Sequence, residues 1–140
     1  MNLIFRTDTA DIDWQMVVII LRETGMANYT AERHKQAFEN SHTVVFVFDS
    51  EKMIGFGRAL CDGVYQAAIY DVAVLPEYQG KGIGKIIVDR IVRNCGGCSF
   101  ILYAAPGKEG FYEKLNFRRM KTGMALFTDQ EKMKIRGFTE

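Results

Sequence analysis

Residues 68–92, AIYDVAVLPEYQGKGIGKIIVDRIV, constrain this chain more than any other stretch. An apolar run from Ala68 to Leu75 is stopped by Pro76, which cannot donate to a strand ladder. A glycine-rich turn, Gln79 to Gly84, follows, and then an amphipathic run from Lys85 to Val92. The order reads strand, loop, helix. Gly80, Gly82 and Gly84 keep the loop free of Cβ atoms, so a ligand can approach the backbone closely. A helix that begins at such a loop aims unpaired N–H groups back into it. That arrangement binds an anion, most often a phosphate.

The rest of the composition narrows the classes of ligand. At 140 residues the chain fits a single domain, 1–140, able to bury about two-thirds of its unfolded surface. Hydrophobic content of 48% beside 25% charge is that of a soluble globular protein. Lys and Arg total 18 against 17 Asp and Glu, a net charge of +1. That balance argues against a nucleic-acid partner, and the absence of a basic block argues against a membrane partner. The first residues, MNLIFRTDTADID, lack the basic and apolar regions of a secretory leader. The three cysteines show no disulfide-framework spacing. A reducing, cytoplasmic setting is expected.

Along the chain, Asn2 to Arg6 reads as a first strand. Asp11 to Glu23 has the helical spacing of a core-facing segment, with Ile12, Met16, Ile19, Ile20 and Leu21 inward and Gly25 as a left-handed cap. Thr30 caps a second helix, Ala31 to Asn40, with Ala37 and Phe38 buried, after a link from Met26 to Tyr29. Thr43–Phe48, Met53–Cys61 and Val64–Leu75 read as strands. They are separated by a turn at Asp49–Lys52 and a hairpin at Asp62-Gly63. Ile83, Ile87 and Ile91 repeat every four residues, which sets the helix after the glycine loop on the sheet. Asn94 and Gly96-Gly97 end it. Ser99 to Ala104 is a further apolar strand, reached by a parallel crossover. A short helix, Lys108 to Leu115, ends at Asn116, and Phe117–Met120 with Gly123–Phe127 would form a last pair of strands. Thr128 to Glu131 has capping-box spacing for a final helix. Trp14 and the methionines read as core. The sum is an α/β (α+β) fold with a mixed, mostly antiparallel central sheet flanked by helices, in the order β-α-α-β-β-β-α-β-α-β(β).

Three phosphate motifs can be tested on the loop. A P-loop, G-x-x-x-x-G-K-[ST], fails from either end: Lys85 stands where the second glycine belongs, and Ile86 follows Gly84-Lys85. The dinucleotide fingerprint G-x-G-x-x-G fails because the third glycine comes one place early, and three hairpin-linked strands precede the loop. The third pattern, Q/R-x-x-G-x-G/A after V-x-P-E, fits as Gln79-Gly80-Lys81-Gly82-Ile83-Gly84 behind Val74-Leu75-Pro76-Glu77. It resembles the acetyl-CoA loop of the GNAT N-acetyltransferase superfamily. A second segment, Gly110 to Phe117 (GFYEKLNF), is similar to that family's FYEKLGF element, with Asn116 in the usual glycine position. The order of elements resembles the family over nearly the whole chain.

The resemblance implies roles. The amides of Gln79, Gly80, Lys81, Gly82, Ile83 and Gly84 would hold the pyrophosphate of coenzyme A, with Lys81 adding charge. Val72, Ala73 and Val74 would pair with the pantetheine arm as with an added strand, beside a slot left by a splayed neighbour. A strand amide there could stabilise the oxyanion. Tyr112 would protonate the departing thiolate. The expected activity is acetyl transfer from acetyl-CoA to a primary amine of a small molecule or peptide, by direct attack in a ternary complex. The competing reading is an acyl-CoA-binding regulator without turnover. Dimers are frequent in the family.

Other residues weigh structural readings against functional ones. Tyr112 neighbours the apolar pair Phe111 and Leu115 and could be core. Asp71, the lone charge in its strand, shares a face with Ile69, Ala73 and Leu75 if alternation holds. It reads as a structural carboxylate paired with an arginine or an amide, ahead of a general base. Glu77 and Glu109 read as solvated, so the base stays unassigned. Cys95-Gly96-Gly97-Cys98 follows a helix end, the wrong pole for a reactive redox pair. Cys61, His34 and His42 lack the paired spacing of zinc ligands, so no metal is expected. His34 and His42 read as surface residues.

Overall fold

The computed structural model describes residues 1–26 and 28–140. The expected Met26–Tyr29 link contains Ala27 and so lies partly outside the described residues. Internal contacts divide the chain into two compact units, 1–102 and 103–140.

The first unit is a five-stranded sheet with helices on both faces. Its elements are β1 (Leu3–Arg6), α1 (Trp14–Glu23), α2 (Ala31–Glu39), β2 (Thr43–Asp49), β3 (Lys52–Cys61) and β4 (Gln66–Val74). A single 3-10 turn (Pro76–Tyr78), α3 (Ile83–Asn94) and β5 (Ser99–Ile101) complete it. The strands lie in the order β1-β2-β3-β4-β5. The first four pair antiparallel, and β5 joins β4 in parallel through α3, as the crossover requires. The expected mixed α/β architecture is therefore the one observed.

Local chemistry fixes the ends of α1. It starts at Trp14, later than the expected Asp11, because Asp11 has φ 55° and the Asp13 carboxylate accepts from the N–H groups of Gln15 and Met16. Gly25 closes the helix at φ 71°. The later start changes the buried stripe to Val17, Val18, Ile20 and Leu21, and leaves Ile19 exposed. On α2, Thr30 accepts from the Arg33 N–H at 3.3 Å. His34 and Phe38, one turn apart, are its buried residues, and Ala37 is only half-buried.

The sheet divides the core. On one face Phe46 and Phe56 pair across β2 and β3, and Trp14 and Phe38 pack edge-on against them. On the other, Ile83, Ile87, Val88 and Ile91 of α3 are buried. Gly57 permits this contact, since a Cβ there would lie 2.8 Å from Ile87 Cγ2 and 3.1 Å from Ile91 Cδ1. Among the methionines Met53 is core, but Met1, Met120 and Met124 are exposed, against expectation.

Two strands differ from their expected lengths. β4 begins at Gln66, not Val64, because Asp62 Oδ1 accepts from the N–H groups of Val64, Tyr65 and Gln66 and so holds Val64 and Tyr65 in the turn. β5 ends at Ile101, not Ala104, because it meets only Gln66 to Ala68 of β4. It is an edge strand of the described sheet rather than a central one.

The second unit contains two short helices, α4 (Glu109–Glu113) and α5 (Gln130–Ile135). Asn116 takes φ 72°, the left-handed conformation expected after the first of them. The anticipated strands Phe117–Met120 and Gly123–Phe127 do not form. Arg119 is bound back to Glu113 at 3.0 Å, Met124 and Leu126 are almost fully exposed, and no ladder partner exists among the described residues. Asp129, not Thr128, caps α5 by accepting from the Lys132 N–H at 3.0 Å. No described helix is long and apolar enough to cross a membrane.

Candidate functional site

The strand that leads to the glycine loop is irregular. Phe56 pairs with Ala73 and Arg58 with Tyr70, so Gly57 alone faces both Asp71 and Val72. This is a β-bulge, with the extra residue Asp71 at φ 56°. Bulges of this kind bend a strand and re-aim its side chains. Simple alternation therefore fails here. Asp71 does not share a face with Ile69; its carboxylate meets Arg58, whose guanidinium also lies over the rings of Tyr70 and Phe38. The Arg58 Nε donates to Asp71 Oδ2 at 2.7 Å, and Arg58 also reaches Ser41 Oγ at 3.3 Å. Asp71 is thus a structural carboxylate paired with an arginine.

Beyond Ala68 the outer side of β4 has no ladder partner among the described residues, since β5 has already ended. Val72, Ala73 and Val74 lie on this unpaired length; Ala73 and Val74 pair with β3 on the other side, and Val72 belongs to the bulge. Ala73 and Val74 are buried, whereas Val72 is half-buried. An extended ligand could add to such an edge.

At the end of β4 the chain turns through Pro76–Tyr78 into the loop. The Gln79 side-chain amide donates to the Val74 carbonyl at 2.8 Å, and its backbone N–H bonds to the Pro76 carbonyl. Gln79 is thus occupied in holding the loop against the strand. Gly80 and Gly82 have φ 77° and 81°, and a Cβ on either would meet no atom within 4 Å. These glycines serve conformation and an open approach. Gly82 is the N-cap of α3, with no side chain capping the helix, and the first helical bond is Ile86 N–H to the Gly82 carbonyl at 3.2 Å. The amides of Ile83, Gly84 and Lys85 precede that bond and are the orphan donors of the helix start. The Ile83 side chain is buried and roots the loop in the core. Lys81 is exposed, while Lys85 is paired with Asp89 at 2.7 Å.

Tyr112 belongs to the second unit, on α4, where the rings of Phe111 and Phe117 pack edge-on at 4.9 and 5.8 Å. Its backbone carbonyl accepts from the N–H groups of Leu115 and Phe117. Burial pushes the phenol above its usual range, so it holds its proton at neutral pH. Glu109 is not a free base: the N–H groups of Glu109 itself and Gly107 hold its carboxyl below the usual range. Glu77 is exposed beside Lys52 at 3.6 Å.

The histidines and cysteines are arranged in ways the sequence does not reveal. His34 is buried, contrary to expectation; its Nε2 accepts from the Tyr29 N–H at 3.1 Å, and burial lowers its pKa. His42 remains exposed but lies beside the thiols. Its Nδ1 is 3.8 Å from Cys95 Sγ, and Cys61 Sγ is 3.7 Å from Cys98 Sγ. Burial and the Cys61 thiol push Cys98 up to about 11. Cys95 ends α3, as expected. High-pKa thiols at the C-terminal end of a helix are poor nucleophiles. Only chain topology brings these residues together, and no spacing rule would have found them.

The comparison with known proteins fits this geometry. Residues 39–119 match the sequence profile of the acetyltransferase (GNAT) domain. The chain belongs to the GNAT family of acetyltransferases. The span covers the bulged strand, the glycine loop, α3 and the Tyr112 helix. Serotonin N-acetyltransferase 2, chloroplastic, of Oryza sativa is 33% identical over 120 residues, 80% of this chain and 60% of that protein. GCN5-related N-acetyltransferase 1, chloroplastic, of Arabidopsis thaliana is 27% identical over 83% of this chain and 61% of its own length. The chain therefore spans about 60% of these relatives. A GNAT-family acetyltransferase from Streptococcus pneumoniae shares the fold with a TM-score of 0.76 at 22% identity, over 90% of this chain and 98% of that one. Glucosamine-6-phosphate N-acetyltransferase from Arabidopsis thaliana aligns with a TM-score of 0.69 at 19% identity, over 90% and 99%.

Proposed function

We propose that this GNAT protein is an N-acetyltransferase that uses acetyl-CoA and acetylates a primary amine of a small molecule or peptide, working as one domain. The observation that carries the reading is the uncapped start of α3 behind Gly80 and Gly82, set at the end of a strand whose outer edge is unpaired. The orphan amides of Ile83, Gly84 and Lys85 suit a pyrophosphate. Gly80 and Gly82 leave the approach open, and Lys81 supplies a nearby positive charge. Gln79 would act by fixing the loop rather than by donating its amide. The edge Val72–Val74 offers backbone groups to an amide-containing arm, and an amide there would steady the oxyanion.

Acetyl-CoA, when bound, supplies an activated thioester. Tyr112 holds a proton at neutral pH and would deliver it to the departing sulfur; this role comes from the family's FYEKLGF-like element. Asp71 is committed to Arg58 and Glu109 to backbone amides. The amine's proton would therefore leave through water. Asn116 adopts the left-handed conformation usually given to glycine, so its presence does not favour the regulator over the enzyme.

The acceptors named for serotonin N-acetyltransferase and glucosamine-6-phosphate N-acetyltransferase mark two chemically distant amines for a screen. Thermal stabilisation by coenzyme A, followed by thiol release with serotonin, glucosamine 6-phosphate and lysine or N-terminal peptides, tests the proposal. Absence of stabilisation would remove the donor assignment. Stabilisation with no turnover across a wide amine panel would favour the acyl-CoA-binding regulator.

A further inference from the structure

All three cysteines of the chain and one of its two histidines meet at one end of the first unit. They arrive from separate segments. His42 precedes β2, Cys61 ends β3, and Cys95 and Cys98 flank the turn after α3. The ligating atoms of His42, Cys61 and Cys95 all lie within 4.8 Å of one another, and those of Cys61, Asp62 and Cys98 do likewise. We propose that His42, Cys61, Cys95 and Cys98 form a structural binding site for a thiophilic divalent cation, with zinc the best match.

The spacing suits that ion. Tetrahedral zinc with Zn–S bonds of about 2.3 Å sets neighbouring sulfurs about 3.8 Å apart. Cys61 and Cys98 stand at 3.7 Å, and Cys95 Sγ and His42 Nδ1 at 3.8 Å. Asp62 is the weaker choice for the fourth place, because its Oδ1 already accepts three backbone N–H groups in the turn and only Oδ2 is left. Cys98 is the soft donor of the second triad; it shares Cys61 with the first, and the tetrahedron closes when its Sγ turns toward Cys95 and His42. The turn that presents it is closed by the Cys98 N–H bonding to the Cys95 carbonyl at 3.2 Å, with Gly97 at φ 85°. This fold brings the two sulfurs of the C-x-x-C to the same side as Cys61.

A second set of contacts surrounds the ligands, as at established metal centres. The Gly63 N–H donates to Cys61 Sγ at 3.2 Å. Thr43 is buried, and its hydroxyl lies 3.3 Å from Cys95 Sγ and 2.8 Å from His42 Nδ1. Metal on His42 Nδ1 displaces the 2.8 Å hydrogen bond that this nitrogen makes with the hydroxyl, and the freed hydroxyl donates to the Cys95 thiolate. Cys95 is buried, Cys61 and Cys98 are half-buried, and His42 is exposed, so solvent offers an entry path on the histidine side. Binding replaces the S–H bonds with S–Zn bonds and releases the thiol protons to solvent. The site ties the end of β3 and the start of β2 to the C-terminal end of α3. Its role is in stability, away from acetyl transfer.

The full chain, purified under reducing conditions, is loaded with zinc chloride, dialysed and measured for metal content. Cobalt(II) titration then reads the ligand type. The expected result is one zinc per chain, a cobalt spectrum with sulfur-to-metal charge transfer and tetrahedral intensity, and a melting temperature lowered by chelator. Cys98→Ser, a near-isosteric change on the half-buried turn, should weaken cobalt binding by at least about a hundredfold, more than a lost outer partner costs, with a cooperative melt of the metal-free variant showing that it folds. His42→Ala should also weaken it. The proposal is overturned if the wild-type chain retains no metal, if cobalt binds without thiolate charge transfer, or if Cys98→Ser binds as tightly as wild type. It is equally overturned if mass spectrometry shows a Cys61–Cys98 disulfide formed in place of the metal in the reduced and zinc-loaded protein.

Discussion

Arg58 Nε donates to Asp71 Oδ2 at 2.7 Å, between side chains that are 16% and 23% exposed. The pair joins β3 to the bulge of β4, and the Arg58 guanidinium is sandwiched near Phe38 and Tyr70. Asp71→Ala leaves the cation half-buried without its partner and puts a Cβ-bearing residue with no local hydrogen bonds at φ 56°. The expected loss is about 2–4 kcal/mol, read by urea denaturation. Asp71→Asn, which tolerates the left-handed region and keeps an acceptor, should lose clearly less. Equal losses would mean that the charge carries the whole effect and that the acceptor and the left-handed tolerance kept by asparagine contribute nothing.

Gly57 and Gly55 should both resist alanine, for different reasons. A Cβ at Gly57 would push on the ends of Ile87, Ile91 and Val72, at 2.8, 3.1 and 3.3 Å. Side chains can shift, so a loss of about 1–3 kcal/mol is expected. At Gly55 the nearest atom, at 2.8 Å, is the Ala73 backbone oxygen, which cannot move without disturbing the ladder. Gly55→Ala should therefore be the more damaging of the two in a thermal melt, and the reverse order would contradict the packing described.

At the loop, a Cβ on Gly82 would meet no atom within 4 Å, so the cost of Gly82→Val to folding comes mainly from holding a branched residue at φ 81°, about 2 kcal/mol. Its side chain fills the approach to the α3 amides. Thermal stabilisation by coenzyme A should fall away while the apo protein still melts cooperatively. Undiminished stabilisation would show that the anion binds elsewhere.

Tyr112→Phe removes a hydroxyl and keeps the ring that packs between Phe111 and Phe117. If the hydroxyl is the proton donor, kcat should drop by about a hundredfold or more with coenzyme A affinity retained. A packing role alone predicts normal turnover.

His34 makes stability depend on pH. Burial holds its folded pKa below the ordinary value, so the unfolded chain binds the proton first as pH falls. Stability should decline on acidification from the unfolded pKa of about 6.5 down to the folded value, by at most about 1.4 kcal/mol per pH unit for this one proton. Below the folded pKa the decline from this group stops. His34→Gln should flatten the profile in that window, and an unchanged slope would assign it to other groups.

Much of this was legible from periodicity and from residues whose chemistry is local. Thr30, Gly25 and Asn116 cap helices where their side chains or backbones demand it. The Ile83–Ile87–Ile91 repeat places α3 on the sheet because four-residue spacing leaves no other face to bury. What escaped depended on neighbours distant in sequence. Phe117–Met120 and Gly123–Phe127 have strand-like composition, but a strand needs a partner and the described residues offer none. His34 reads as polar, yet Phe38 one turn away draws it inward and the Tyr29 N–H satisfies it there. The candidate loop was visible as consecutive letters, whereas the thiol cluster is assembled by the β3–β4 hairpin and the α3 crossover.

The bulge at Asp71 has a consequence for the strand's phase. Ile69 and Tyr70 alternate in the ordinary way, and so do Ala73 and Val74. The extra residue between the two halves means that Tyr70 and Ala73, facing Arg58 and Phe56, point to the same side. Removing the residue at position 71 would restore strict alternation and leave Tyr70, Val72 and Ala73 on the faces they now hold, because the bulge already sets one residue aside from the ladder. Were Asp71 instead to take an ordinary pairing position, the apolar side chains from Val72 to Leu75 would exchange faces and the glycine loop would leave the sheet with the opposite phase. The bulge, by absorbing one residue of chain, sets which side of the sheet the loop serves.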